Sequence, residues 1–264
     1  MIKSGANIMN NIIKLFKQYT NTNDVLKFVY GISSDEHFDC VFVAPSWALT
    51  KIFDISATNA ELVSENKDLT SYRIINNCKK YLYVTLNIGA PNMIDFCLSC
   101  NELNCDKIIF VGSAGSLVPE IKLGDIVVPD YSISGDGASL YLYDKLDSSN
   151  LFKVAHANLD LTREVRDVCK KQNITPVNAV PISVDSVLCE YQHLSEFKDM
   201  GANVIEMESA TFFNVMNLIG KPAAAILIIS DNSSVGQHLI DTNEETRNKY
   251  HSARTRLKDI LLNI

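Results

Sequence analysis

The sequence predicts a single α/β domain of three layers, in which helices flank a mixed central β-sheet. Its 264 residues are 47% apolar and 21% charged, which is enough apolar material for one sizeable core. Short apolar runs alternate with helical patterns along the chain, as expected for βαβ units. Because neither a repeat nor a linker rich in Pro, Gly or Ser divides it, we expect one domain over 39–264, preceded by an N-terminal helix and lead-in over 1–38.

The helical and strand patterns can be placed in chain order. Apolar residues at helical spacing predict an amphipathic helix over 8–19. Apolar runs predict strands at 40–44, 80–88 and 107–111, and the helical pattern of 92–105 joins the last two into a βαβ unit. Beyond it we expect strands at 124–129, within 175–188, at 202–207 and at 223–229, and helices at 159–172, 209–219 and 243–264.

Charge and composition disfavour several classes of protein. The net charge of −7 and the pI near 5.2 argue against a surface for nucleic acid or for an anionic membrane. The first residues lack the pattern of a signal peptide and no apolar run is long enough to span a bilayer, so we expect a cytoplasmic protein. The seven cysteines are expected as buried thiols. Three of them, Cys97, Cys100 and Cys105, lack a nearby histidine, so no metal site is predicted.

Small or acidic residues follow three of the predicted strands. These segments are Gly112–Ser116, Glu206–Ser209 and Ser230–Asn232. Ligands of such sheets bind beyond the carboxyl ends of the strands, so we expect the three segments to meet at one binding site.

Each segment has a structural interpretation as well as a chemical one. The small residues of 112–116 let backbone N–H groups approach an anion or a sugar oxygen, or they form a plain tight turn. The two oxygens of Glu208 match the vicinal hydroxyls of a ribose, but one of Glu206 and Glu208 can instead cap the following helix. Asp231 follows a strand of seven apolar residues, where a carboxyl group can donate a proton or cap a turn.

Four motifs together resemble one family of enzymes. VGSAGSLVPEIKLGDIVVPD is similar to the glycine-loop signature of the type I nucleoside phosphorylases and methylthioadenosine nucleosidases, and VIEMESATFF resembles their ribose-binding segment. ILIISDNS resembles the strand that presents the catalytic aspartate in purine-specific members, and DGASLYLY is similar to a stretch of the uridine phosphorylases. The resemblance runs from about residue 39 to the C-terminus, and it implies the fold predicted above.

The resemblance implies a role for each matching residue on the sugar side of the site. Gly112 and Ser113 would contact phosphate or the ribose. Met207 would pack against the ribose ring, and Glu208, with Glu206 beside it, would bind the 2′- and 3′-hydroxyls.

On the base side, the resemblance implies that Asp231 is the general acid for N7 of a purine, assisted by Arg247 from the last helix. The base pocket is expected at Ala114, Gly115 and Val187, where Val187 stands at the place of an aromatic residue in many relatives. Glycosidic cleavage passes through an oxocarbenium-like state, so the site must hold the ribose and improve the leaving group.

The chain departs from the family where phosphate would bind. Thr50, in the loop after the first strand, holds the position of one phosphate-binding arginine, and Phe110 holds that of a second. This predicts weak phosphate binding, because arginine forks supply much of the affinity for such anions. A third cation comes from a neighbouring subunit in the family, and its candidates here are Lys51, Lys67 and Arg73.

Three functions therefore remain open. The first is cleavage of a nucleoside, most simply a purine nucleoside, with phosphate as co-substrate and without a cofactor. The second is hydrolysis, although the first loop offers no glutamate to activate water as hydrolytic relatives do. The third is binding of a nucleoside without turnover. The resemblance also implies a homo-oligomer, either a dimer or a hexamer made from dimers.

Overall fold

A computed structural model of the chain describes residues 11–15, 17–18, 24–55, 58–237 and 244–264. Residues 11–15 and 17–18 are helical and form the described part of helix α1, at the place where the apolar spacing predicts a helix. The predicted contributions of Ile8, Phe16 and Tyr19 to this helix lie outside the described residues. Helix α2, Val25–Tyr30, begins after Asp24, whose side chain accepts a hydrogen bond from Lys27 N.

The described strands form one mixed sheet centred on β5 (Ile108–Ser116). On one edge, β5 pairs in parallel with β1 (Cys40–Val43), which pairs in turn with β4 (Lys79–Leu86). On the other edge it pairs in parallel with β11 (Ala223–Asn232) along its whole length. At its carboxyl end it also pairs in antiparallel with β10 (Val204–Glu206).

The remaining strands extend the sheet in both directions. The antiparallel strands β2 (Ala60–Glu65) and β3 (Leu69–Asn76) continue it beyond β4. Beyond β10 follow β9 (Pro181–Ser183), β7 (Tyr131–Ser134) and β8 (Val154–His156), and β6 (Ile126–Val127) pairs with β11.

Helices cover both faces of this sheet. Helices α3 (Ala90–Ser99) and α6 (Ser209–Ile219) pack in one apolar core, and α4 (Leu159–Lys171) and α7 (Glu244–Leu261) pack in a second. A smaller cluster lies under the short helix α5 (Leu194–Asp199). The predicted three-layer α/β fold with a mixed sheet is therefore confirmed. None of the helices in the described ranges is long and apolar enough to cross a membrane.

The stretch predicted as a glycine loop is instead the second half of β5. Gly112 and Gly115 stay in the strand because both are packed too closely for a side chain. A methyl group on Gly112 would lie 3.0 Å from Phe110 Cζ, and one on Gly115 would lie 2.8 Å from Asp231 Oδ2. The two glycines therefore allow Phe110 and Asp231 to pack closely against β5, and they do not form a turn.

Some elements differ from the sequence-based expectation. The strands β2 and β3 were not predicted, although Asn77 and Cys78 between β3 and β4 both have positive φ, as a two-residue hairpin turn requires. The helix predicted over 92–105 ends at Ser99, and only Pro181–Ser183 is a strand within 175–188. Five cysteines are buried as expected, but Cys78 and Cys189 are exposed.

Candidate active site

A cavity of about 330 Å³ lies at the carboxyl end of β5. On the edge of β5 opposite β11, β1 pairs with residues 108–110 and β10 with residues 115–116. Neither of these strands pairs with residues 111–114, so this stretch of the edge is left to the cavity. Such a switch between neighbouring strands is where ligands of α/β sheets bind. All three predicted strand-end segments contribute residues to the wall.

Glu206 fixes the junction between β10 and α6. Its Oε2 accepts hydrogen bonds from the backbone N–H groups of Glu208 (2.8 Å) and Ser209 (2.7 Å). Its Oε1 accepts from the hydroxyls of Ser183 (2.6 Å) and Ser209 (2.8 Å). These four donors occupy the lone pairs of the carboxylate and satisfy N–H groups that the first turn of α6 leaves unpaired. The Glu206 side chain therefore caps the helix rather than offering a free oxygen to a sugar.

Glu208 is the neighbouring buried carboxyl group on the cavity wall. It is 6% exposed, and its Oε1 accepts a hydrogen bond of 2.6 Å from the backbone N–H of Gly89, which precedes α3. Glu208 thus connects the start of α6 to the start of α3 across the cavity. Met207, which is partly exposed, lines the wall beside it.

Burial raises the pKa of both glutamates, and the structure distinguishes them by their donors. The four hydrogen bonds that Glu206 accepts stabilise its charged form, so the negative charge of the pair resides there. Burial first, and the charge of Glu206 second, raise the pKa of Glu208 to about 8. In the unliganded protein Glu208 therefore binds a proton at neutral pH, and hydroxyl groups of a ligand would stabilise its carboxylate form.

Asp231 reaches the cavity through an irregularity in β11. Ile229 pairs with Ala114 and Asp231 pairs with Gly115, so Ser230 is an extra residue of a β-bulge. A bulge re-aims the side chains that follow it. The hydroxyl of Ser230 donates to Asp231 Oδ1 at 2.7 Å, while Asp231 Oδ2 lies against Gly115. The carboxyl group is thus fixed between its own strand and β5, and it is 8% exposed.

A further carboxyl group, Glu190, lines the same cavity and was not predicted. It lies in the short 3-10 helix Cys189–Gln192, next to Val187 on the expected base side. Burial, and then the charge of Asp231, raise the pKa of Glu190 to about 7. No motif or periodic pattern in the sequence indicates Glu190, although its neighbour Val187 was expected at the base pocket.

The cavity also has a cationic end, formed by Lys51, Arg254, Trp47 and Tyr250. Lys51 Nζ donates to the carbonyl of Ser46 at 2.9 Å. The guanidinium of Arg254 lies 5.9 Å from the ring of Trp47 and 5.6 Å from that of Tyr250. The Tyr250 hydroxyl is hydrogen-bonded to Ser113 on β5. Helix α7 therefore contributes Tyr250 and Arg254 to the cavity wall, and neither was predicted as a site residue.

The structure brings most of the predicted site residues together, with exceptions. Gly112, Ser113, Ala114, Gly115 and Val187 all line the cavity. Arg247 is exposed on α7 and is not part of the cavity wall. At the two positions that the resemblance assigns to phosphate-binding arginines, the structure has no cation. Thr50 is exposed and lies off the wall, whereas Phe110 lines the wall, is 1% exposed and has its ring centroid 5.8 Å from that of Phe212.

Among the candidates for a third cation, Lys67 and Arg73 are not part of the wall, and Arg73 forms salt bridges with Glu36 and Glu61. Within the described ranges, no group of three or more His, Cys, Asp or Glu residues is placed to bind a metal ion.

Comparison with known proteins identifies the family to which the sequence is similar. The sequence model of the phosphorylase superfamily matches residues 68–264, which include every carboxyl group of the cavity. Uridine phosphorylase of Haemophilus influenzae is 24% identical over 183 residues, which cover 64% of this chain and 70% of that protein. Aminodeoxyfutalosine nucleosidase of Helicobacter pylori is 29% identical over 135 residues, which cover 48% of this chain and 56% of that protein.

A solved structure extends the comparison to the fold. Purine nucleoside phosphorylase from Toxoplasma gondii, in complex with immucillin-H, superposes with a TM-score of 0.67 over 88% of this chain and 92% of that one. The sequence identity is 16%, so this likeness concerns the fold alone.

Substitution of Gly115 by alanine is expected to displace Asp231 and to lower any activity that depends on it. The added methyl group would lie 2.8 Å from Asp231 Oδ2 and 3.2 Å from Ile205 Cγ2, so the carboxyl group must move. Turnover would fall, while circular dichroism would show an intact fold. Gly137→Ala is the matched control, because its methyl group would meet only Asp185 Oδ2 at 3.4 Å. Equal rates for the two variants would contradict this view of the site.

The buried Glu208 is expected to make the unliganded protein less stable as the pH rises. Its pKa is about 8 in the fold against an ordinary 4.5, so between these values the folded state binds a proton that the unfolded chain releases. The free energy of unfolding should therefore fall as pH rises through this window, by on the order of a few kcal/mol. Denaturant unfolding at several pH values measures it, and Glu208→Gln should show a flatter profile. Parallel profiles would rule out the raised pKa.

Proposed function

We propose that this chain, which belongs to the phosphorylase superfamily because the family's sequence model matches three quarters of it, cleaves the N-glycosidic bond of a purine nucleoside. The observation that carries the proposal is the pairing of two buried carboxyl groups, Glu208 and Asp231, on one cavity. They come from different strand ends and have different surroundings. Two carboxyl groups in different surroundings suit a reaction in which one group must hold the ribose and another must protonate the leaving base.

Glu208 is the proposed partner of the ribose. Gly89 N–H holds one oxygen of its carboxyl group in place, and the carboxyl lines the cavity beside Met207. A carboxylate accepts two hydrogen bonds from vicinal hydroxyls, and Met207 supplies an apolar surface for the sugar ring. Binding to the 2′- and 3′-hydroxyls would hold the ribose while positive charge develops at C1′.

Asp231 is the proposed general acid. The C1′–N bond breaks with its electron pair moving to the base, while an oxygen of phosphate or of water forms the new bond to C1′. A proton delivered to N7 of a purine makes the base a better leaving group. Ser230 and Gly115 fix the position of the carboxyl group, and Glu190 lies near enough for the two to influence each other's charge. We propose that this carboxyl pair holds the proton that the base receives.

Ala114, Gly115 and Val187 would form the base pocket, with Glu190 at its side. We also propose that the chain assembles as a homo-oligomer, a dimer or a hexamer, as the family resemblance implies. Exposed apolar side chains support the proposed oligomer, because they would be shielded from water at a subunit interface. Leu188, next to the cavity residue Val187, is 77% exposed, and Tyr141 is 71% exposed. These side chains would be covered by a second subunit.

The decisive experiment is incubation of the protein with purine and pyrimidine nucleosides, with and without phosphate. Free base, measured by chromatography, should appear from purine nucleosides. Release that needs phosphate indicates phosphorolysis, whereas release that ignores phosphate indicates hydrolysis. Saturable nucleoside binding without any released base would show that the chain binds nucleosides but does not cleave them.

Asp231→Asn is expected to lower turnover of purine nucleosides at least a hundredfold, because general acid catalysis is typically worth roughly that much. An amide cannot deliver the proton, but it has almost the same size, so the fold and nucleoside affinity should be retained. Single-turnover rates and calorimetric binding measure both effects. If the variant keeps more than about a tenth of the wild-type rate, Asp231 is not the general acid.

Glu190→Gln is expected to change the pH dependence of the rate. Glu190 has a pKa of about 7, so in the wild type the carboxyl pair loses its proton as the pH rises through neutrality, and kcat should fall there. Without a titrating group at residue 190, this decline should move away from neutral pH. Asp185→Asn is a control carboxyl variant outside the cavity wall. An unchanged descending limb in Glu190→Gln would show that the limb has another origin.

A further inference from the structure

A second cavity lies between the N-terminal helices and α3, away from the active site. Its volume is about 180 Å³, and none of its wall residues is shared with the cavity at the end of β5. Two of its three sides come from α1 and α2, which precede residue 68, where the match to the family's sequence model begins. We call this cavity the N-terminal pocket, and its apolar wall consists of Ile12, Ile13, Val25, Val29, Tyr30 and Leu98.

The three helices around the N-terminal pocket are fixed to one another. Glu102, just beyond α3, forms a salt bridge of 3.1 Å with Lys17 on α1. Its other carboxyl oxygen accepts a hydrogen bond of 3.2 Å from the backbone N–H of Leu26 on α2. Leu26 is fully buried in the main apolar core, and the ring of Tyr30 packs edge-to-face on that of Phe96, with 5.4 Å between the ring centroids. The pocket is therefore a preformed cavity, as ligand sites usually are.

The polar part of the wall has a negative charge that no neighbouring cation balances. Lys17 offsets the charge of Glu102, and both carboxyl oxygens of Glu102 have partners. Asp95, in contrast, forms neither a hydrogen bond nor a salt bridge with any described residue. Its side chain is exposed, but its surroundings desolvate it in part, which raises the pKa of the carboxyl group.

The other ionisable group of the wall does not change this balance. Burial, and then the charge of Asp95, raise the pKa of Tyr30, so its hydroxyl stays neutral. Among the wall residues that the structure describes, none is a lysine, an arginine or a histidine. The charge that remains at the pocket is that of Asp95, and it is complementary to a cation.

The volume and the chemistry of the wall together limit the ligand. A dry apolar cavity of roughly 150 Å³ in another protein binds benzene, so the N-terminal pocket admits one aromatic ring with a short side chain. Such a ring would gain dispersion contacts with the apolar side chains of all three helices. An ammonium group on its short side chain would donate a charge-assisted hydrogen bond to the carboxylate of Asp95.

We propose that the N-terminal pocket is a second ligand site, which binds a small arylalkylamine with its aromatic ring between α1, α2 and α3 and its ammonium group at Asp95. Binding there makes and breaks no covalent bond. The site is independent of the proposed cleavage reaction, because the two cavities have no wall residue in common.

Titration of the full chain with phenethylamine, followed by ligand-observed NMR, tests this site. Wild type should bind the amine saturably. Phenethyl alcohol, which has a hydroxyl in place of the ammonium group, should bind roughly ten- to a hundredfold more weakly, the usual effect of losing a charge-assisted bond. A wild type that does not bind the amine, or that binds the amine and the alcohol equally well, would overturn the proposal.

Two substitutions address the two parts of the pocket, and both residues are exposed, so the fold should be retained. Asp95→Asn should weaken amine binding roughly ten- to a hundredfold and leave binding of the alcohol unchanged, because the amide keeps the size of the side chain and removes its charge. Val29→Phe should weaken binding of both ligands, because the added ring occupies the volume that theirs would take. Unchanged ligand affinity in Val29→Phe would place the ring elsewhere and reject the site.

Asp199→Asn is the matched control for the charge. Asp199 is an exposed aspartate on helix α5 and is not part of the pocket wall, so this variant should bind the amine like wild type. Equal amine affinity in Asp95→Asn and Asp199→Asn would show that the ammonium group does not contact Asp95, contrary to the proposal.

The active-site cavity also contains carboxyl groups, so a further variant must distinguish the two cavities. Glu190→Gln removes a carboxyl group from the active-site cavity and leaves the N-terminal pocket unaltered. It should bind phenethylamine like wild type. A loss of affinity in Glu190→Gln that equals or exceeds the loss in Asp95→Asn would assign the amine to the active site and overturn the proposal.

Discussion

β5 and β11 lie side by side from Ile108 to Ser116, and the other elements are arranged around this pairing. It brings apolar residues of both strands into the two cores, one on each face of the sheet. Because β11 occupies one edge of β5 throughout, β1 and β10 must share the other edge. The interval between them is the cavity. The position of the site is thus a consequence of strand pairing, and the side chains only determine its chemistry.

That chemistry depends on how three buried carboxyl groups are supplied with donors. Glu206 has four donors and keeps its charge, so Glu208, close to it, is pushed towards the neutral form. Asp231 has the Ser230 hydroxyl and a position against Gly115. Groups of one chemical type thus acquire different protonation behaviour from their surroundings. The same low-dielectric surroundings strengthen any contact that a ligand makes with them.

The sequence predicted the fold well wherever a long apolar run or a helical repeat was present. β1, β4, β11, α4, α6 and α7 were all expected, because burial on both faces or on one stripe leaves a clear pattern. Strands β2 and β3 were missed because both mix polar with apolar residues, and β2 is the edge strand that β3 joins to β4. The second half of β5 has the sequence of a loop, since glycine is typical of turns, and only the close packing of Phe110 and Asp231 explains the two glycines here.

For the site, the sequence located the three strand ends but not the groups that come from elsewhere. Glu190 is brought in by a short 3-10 helix with no periodic signal. Arg254 and Tyr250 lie one turn apart on α7, and neither was predicted as a site residue. Arg247, which was predicted, is on the exposed side of that helix. Their role depends on which face of α7 meets the sheet, and this is settled by tertiary contacts rather than by local sequence.

The bulge at Ser230 separates the place of Asp231 in the sheet from the direction of its carboxyl group. Because Ser230 is the extra residue, Asp231 and Asn232 lie opposite Gly115 and Ser116 of β5, and a strand without Ser230 could form the same pairs. Such a strand would lose the hydroxyl that donates to Asp231 Oδ1 and the local bend that re-aims the side chain. The loss of this one codon would therefore damage the chemistry of the segment before it damaged the folding of the strand.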